Sequence, residues 1–155
     1  MNLRKTIFIS INVSLCIIQL FTFKQSLAEE IVYSHAIVTT STGEEIPVEV
    51  ADTFKKRSLG LGKRTSLKKG WGMLFIFGKR KPYRFWMKDM HFPLDIIWLD
   101  NHRIVHIIHN AKPVNSRDEP EIMTSPVPVN FVLEIAAGRA AKLRLKKGQR
   151  MKIKF

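Results

Sequence analysis

The sequence predicts a mainly β chain, folded as a compact antiparallel β sandwich or barrel with two short helices. Three observations predict it. The apolar runs are of strand length, several of them alternate with period two, and Gly, Pro, Asn and Asp separate them at turn spacing.

The first residues stand outside that domain. Arg4 and Lys5 lead into an apolar run from Ile7 to Phe23 that ends in Ser26-Leu27-Ala28, the three-part grammar of a secretory signal peptide cleaved after Ala28. An uncleaved N-terminal anchor is the alternative. A spanning helix needs about 20 apolar residues, and this run is interrupted by Ser10, Asn12, Ser14, Gln19 and Thr22. Cys16 follows Leu15 where lipidation would want a small residue, and cleavage removes this only cysteine. The expected mature chain, residues 29–155, is then a single domain held by its core without disulfides. Losing Arg4, Lys5 and Lys24 lowers the net charge from +13 to +10. For an exported protein that charge points away from nucleic acid and toward acidic envelope polymers, phosphate-bearing lipids and glycans.

Ile31 to Val38 and Ile46 to Val50 read as strands joined through Thr40-Ser41-Thr42-Gly43. Asp52 or Thr53 caps a short helix from Phe54 to Leu59 that Gly60 closes, with Phe54, Leu59 and Leu61 expected to face the core. A basic loop leads to Trp71 to Phe77, an apolar run flanked by glycines and read as a central strand, after which Gly78 to Pro82 is expected to turn. Tyr83 to Lys88 alternates, setting Tyr83, Phe85 and Met87 against Arg84, Trp86 and Lys88.

Pro93 bends the chain into a strand from Leu94 to Leu99, which returns through Asp100-Asn101-His102 as Arg103 to His109. Asn110 to Pro128 carries four prolines and no expected regular element, a length of loop that is often functional. Val129 to Ile135 is the next strand, Ala136 to Leu143 a short helix, and Arg150 to Phe155 a closing strand.

A set of spaced motifs now stands out. It comprises Val50-Ala51-Asp52-Thr53 with Leu59-Gly60-Leu61, Gly72 to Phe77, Phe85-Trp86-Met87-Lys88, Pro93 to Asp100, and Val132-Leu133-Glu134-Ile135 with Ala137-Gly138 and Lys147-Gly148. Together they resemble the family known as domain of unknown function 192, over about Ile46 to Ile153. The resemblance implies a β sandwich of jelly-roll type and no established activity. The family motif usually carries Asn where this chain has Asp89, and often a small polar residue where it has Met90.

Chemistry concentrates between Phe85 and Asp100. Trp71, Trp86 and their aromatic neighbours could stack on sugar rings, with Lys88 and, from the long loop, Arg117 supplying charge for an acidic ligand. The opposite parity of Phe85 and Trp86 sends one of the two outward. Asp95, after the proline corner, is either a ligand-orienting carboxylate or a structural group bonded to nearby backbone. Asp89 with Asp95 would be a hydrolase pair if their carboxyl groups lay roughly 5 to 9.5 Å apart across a cleft. Met87, Met90 and His91 combine thioethers with imidazole, a set suited to copper and, less so, zinc; ordinary core methionines and turn histidines account for the same residues. No Gly-x-Ser-x-Gly elbow or phosphate-binding glycine loop is present. The leading expectation is a non-catalytic module binding an acidic or sugar-containing envelope ligand through Trp71, Trp86, Lys88, Asp95 and Arg117. Copper or zinc handling and hydrolysis are the alternatives.

Overall fold

The computed structural model describes residues 30–114 and 118–155, of which 33–155 form one compact unit. The expected leader, Cys16 and Arg117 lie outside the described residues.

The first strands are β1 (Ser34–Thr39) and β2 (Glu45–Ala51), paired antiparallel. Their alternation sends Ala36, Val38, Ile46, Val48 and Val50 to one face, where they are buried. Helix α1 (Phe54–Leu59) follows, with the Thr53 hydroxyl accepting from the Lys56 amide and the Gly60 amide donating to the Lys56 carbonyl. Gly60 at φ +51 redirects the chain, so the helical period ends there. Leu61 therefore enters the core while Phe54 stays 81% exposed, against the expectation of an inward Phe54, and Leu59 is also exposed.

The chain that leaves β2 through α1 returns in the same direction as β3 (Gly72–Lys81), so β2 and β3 pair parallel in an otherwise antiparallel sheet. The expected turn at Gly78 is absent. The strand runs on because Lys81 regains a partner in Val129 after an irregularity beyond Ile76. Next come β4 (Arg84–Phe85), β5 (Leu94–Asp100) and β6 (Arg103–Ala111). Asn101 and His102 take the left-handed conformation at the β5–β6 tip. The proline-rich segment contains one element after all, β7 (Met123–Thr124), which pairs with β4 as a separate two-stranded ribbon. The chain ends with β8 (Val129–Ala136), α2 (Arg139–Lys142) and β9 (Lys152–Lys154).

Among the described residues the main sheet has the order β6-β5-β8-β3-β2-β1-β9. It curls far enough for its ends to touch: the Met151 amide donates to the His102 carbonyl at 2.9 Å, and Ile104 exchanges backbone bonds with Gln149 and Gly148. Seven of the nine described strands therefore make one curled sheet, a half-barrel, and β4 and β7 stand apart from it. Its interior is filled by residues such as Val48, Leu74, Ile97, Leu133, Ile135 and Met151. Its outer face carries a second apolar layer, containing Met73, Phe75, Ile96, Trp98 and Val132, which is covered by the ribbon and the turn after it. With both faces covered, every residue of β5 from Leu94 to Leu99 is buried.

Candidate functional site

The cover over the outer face is a strap from Tyr83 to Phe92. Ring contacts fix its path. Tyr83 stacks on Phe77 at 3.6 Å, and Phe85 meets Phe75 edge-on at 5.0 Å, so the strap runs back along β3 toward Met73. Phe85 also packs edge-on against Trp98 at 6.1 Å. The expected period of two holds here: Phe85 and Met87 point inward, and Arg84, Trp86 and Lys88 are exposed.

Ribbon register places Arg84 opposite Thr124 and Phe85 opposite Met123. Just beyond the paired residues, Trp86 follows β4 and Ile122 precedes β7, and these two are 52% and 48% exposed. The ribbon thus has an anchored apolar underside, while Arg84, Trp86 and Lys88 of the strap and Ile122 before β7 are exposed. Trp71 belongs to a different group, half-buried at the start of β3. His35 meets it edge-on at 5.0 Å, and the Lys68 ammonium sits 3.9 Å from its ring centre.

Asp95 is fully buried. One carboxylate oxygen accepts from the Asn110 amide at 2.9 Å and the other from the Ala140 amide at 2.8 Å. It fastens β5 to the end of β6 and to the first turn of α2, which has no capping side chain of its own. Burial and two occupied oxygens make Asp95 a structural carboxylate, and its partners lie well beyond the Pro93 corner. Asp89 is exposed at φ +58, where its carbonyl accepts from the Lys63 amide at 2.8 Å and ties the strap to the loop after α1. One aspartate is thus outside and the other is consumed inside, so the two do not face a shared substrate. Met87 and Met90 are buried in the outer layer while His91 is exposed, which divides the Met/His set between core and surface. Among the described residues no three His, Cys, Asp or Glu side chains gather as a metal centre.

Sequence reasoning missed Glu134. It lies in β8 between Met73 of β3 and Ile96 of β5 and is 6% exposed. Among the described residues its carboxyl has no hydrogen-bond or ion-pair partner, and burial pushes it up to about 8. At neutral pH it is therefore an uncharged acid, able to donate its own proton. The available signal was its parity with Val132 in a strand apolar on both faces. One strand further along, Glu49 opposite Met73 pairs with Arg64 at 2.6 Å, and Arg64 also stacks over Tyr33 at 5.3 Å.

The chain is similar to two solved structures. One, from Sinorhizobium meliloti 1021, is described as a candidate transcription regulator; it is 32% identical with a TM-score of 0.70, the match covering 79% of this chain and 96% of that one. The other is a protein of unknown function from Novosphingobium aromaticivorans DSM 12444, 30% identical with a TM-score of 0.69, covering 81% of this chain and 89% of that one. No curated protein matches. The model of the family DUF192, described as Uncharacterized ACR, COG1430, matches residues 36–153, nearly the whole β domain and all the motifs that resembled it, and the chain belongs to that family.

Proposed function

We propose that the protein is a non-catalytic binding module for an acidic, sugar-containing component of the cell envelope, held on the outward face of the β4–β7 ribbon. The observation that carries this reading is Trp86, half exposed while Phe85, its neighbour in sequence, is clamped against Phe75 and Trp98. An exposed indole on a fixed support presents a flat apolar face to a sugar ring. Arg84 and Lys88 flank it as cations for carboxylate or phosphate groups. The reading of residues 1–28 as a cleaved leader, with an uncleaved anchor as its alternative, supports an envelope ligand, and so does the strongly basic mature chain. Asp95 takes no direct part, since both its oxygens serve backbone amides.

The test is a titration with oligogalacturonate, an acidic sugar chain, and with an uncharged cello-oligosaccharide of the same length. The expected result is saturable binding of the acidic chain that weakens about tenfold, or 1.4 kcal/mol, in Trp86→Ala and in Lys88→Ala. Affinity unchanged in both variants would reject the ribbon as the site.

A further inference from the structure

Beneath the ribbon, the outer layer has an unusual composition. Met73, Met87, Met90 and Met123 are all buried in this one cluster. Glu134 sits directly across from Met73. The ring contacts of Tyr83 with Phe77 and of Phe85 with Phe75 run the strap along β3, and its next inward residue, Met87, is buried in the same cluster as Met73. The Met90 amide closes a turn on the Met87 carbonyl at 3.4 Å, which keeps these two methionines together. Glu134 thus faces the same outer layer as Met73, is more than nine-tenths buried as a residue, and has no side-chain partner among the described residues.

We propose that Glu134 and the thioethers of Met73, Met87 and Met90 form a site for a soft monovalent cation of the copper(I) or silver(I) class. Thioether sulfur is a soft ligand that selects copper(I) over the hard and borderline divalent ions. The charge balance selects in the same direction. A carboxylate with a singly charged ion leaves the layer neutral, whereas a divalent ion would leave a net charge buried among methionines, which is costly. Glu134 gives its proton to water as the cation enters. The short ribbon, two residues in each strand, is the part of the cover able to open, because so small a β element is held mainly by its packing. His91, exposed outside the layer, is not a ligand of this site.

The test uses the purified protein and silver nitrate in chloride-free buffer, followed by equilibrium dialysis and by the shift in melting temperature. Surface imidazoles are the competing silver sites, and the variants separate the two. Glu134→Gln keeps the shape of the side chain, and Met73→Leu conserves core volume at a cost below about 1.5 kcal/mol, so both variants are expected to fold. The proposal expects one saturable silver ion per chain, an upward shift in melting temperature, and affinity at least about tenfold weaker in each variant, since even outer ligand partners are worth that much. A tenfold excess of zinc is expected not to displace the silver. Affinity and thermal shift unchanged in both variants, or no saturable silver ion in the parent, would overturn the proposal.

Discussion

Replacing Glu134 by Gln is expected to remove most of the pH dependence of stability between mild acid and mild alkali. Burial raises the carboxyl from its ordinary 4.5 to about 8 in the native protein. Between those values the unfolded chain has released the proton and the folded chain still holds it, so stability falls as pH rises. The contribution is intact below about pH 4.5 and is lost progressively until the native carboxyl ionises near 8. At about 1.36 kcal/mol per pKa unit, the interval is worth about 5 kcal/mol. That is an upper figure, because local opening that admits water to the carboxylate limits the loss. It is still comparable with the whole stability of an ordinary domain, about 5 to 15 kcal/mol. The assay is urea unfolding at a series of pH values from 4 to 9, without added metal, reading the difference between parent and Glu134→Gln so that other titrating groups cancel. The variant is expected to gain on the parent steadily above pH 5 and to level off beyond pH 8. Parallel profiles would show that Glu134 is solvated or paired in the native state, and the argument from its burial would be wrong.

The other expectations follow from packing. Asp95→Ala strands the Asn110 and Ala140 amides in the interior and is expected to cost about 2 to 6 kcal/mol in urea unfolding, at about 1 to 3 for each unpaired group. Gly72→Ala places a methyl 2.7 Å from the Glu134 carbonyl oxygen, between β3 and β8, and is expected to lower stability by about 1 to 3 kcal/mol through overpacking. Phe85→Ala, removing a ring that touches Phe75, Phe77 and Trp98, is expected to cost about 3 to 5 kcal/mol. Trp86→Ala, one residue on, is expected to shift the melting curve by no more than about 0.5 kcal/mol, as an exposed site does.

What was legible in the sequence is what local chemistry determines. Helix α1 was readable because the Thr53 cap and the Gly60 stop act within a few residues of the helix. The split between Phe85 and Trp86 was readable because strand parity depends only on the chain itself. What stayed hidden depended on partners distant in sequence. Gly78 looked like a turn because its signal is local, while the Lys81–Val129 pairing that carries β3 past it comes from far along the chain. The parallel β2–β3 pair is likewise a product of the route taken after α1. The sequence offers Asp95 nearby backbone as its partner, whereas the two amides it accepts from lie 15 and 45 residues away, where local chemistry gives no sign of them. Glu134 looked like one more strand residue. Its character comes from β3 and β5 on either side and from the strap above, none of which its own neighbours reveal.

The binding account is tested most directly by the three indole N–H resonances in a heteronuclear NMR spectrum, recorded as oligogalacturonate is added. Trp98 is fully buried in the outer layer, Trp71 is engaged by His35 and Lys68, and Trp86 stands on the ribbon's open face. The account predicts that the Trp86 signal moves along a saturable curve while the Trp98 signal stays in place, and that Trp86→Phe keeps the parent affinity while Trp86→Ala weakens it about tenfold. A Trp86 signal that stays fixed at every ligand concentration would contradict it.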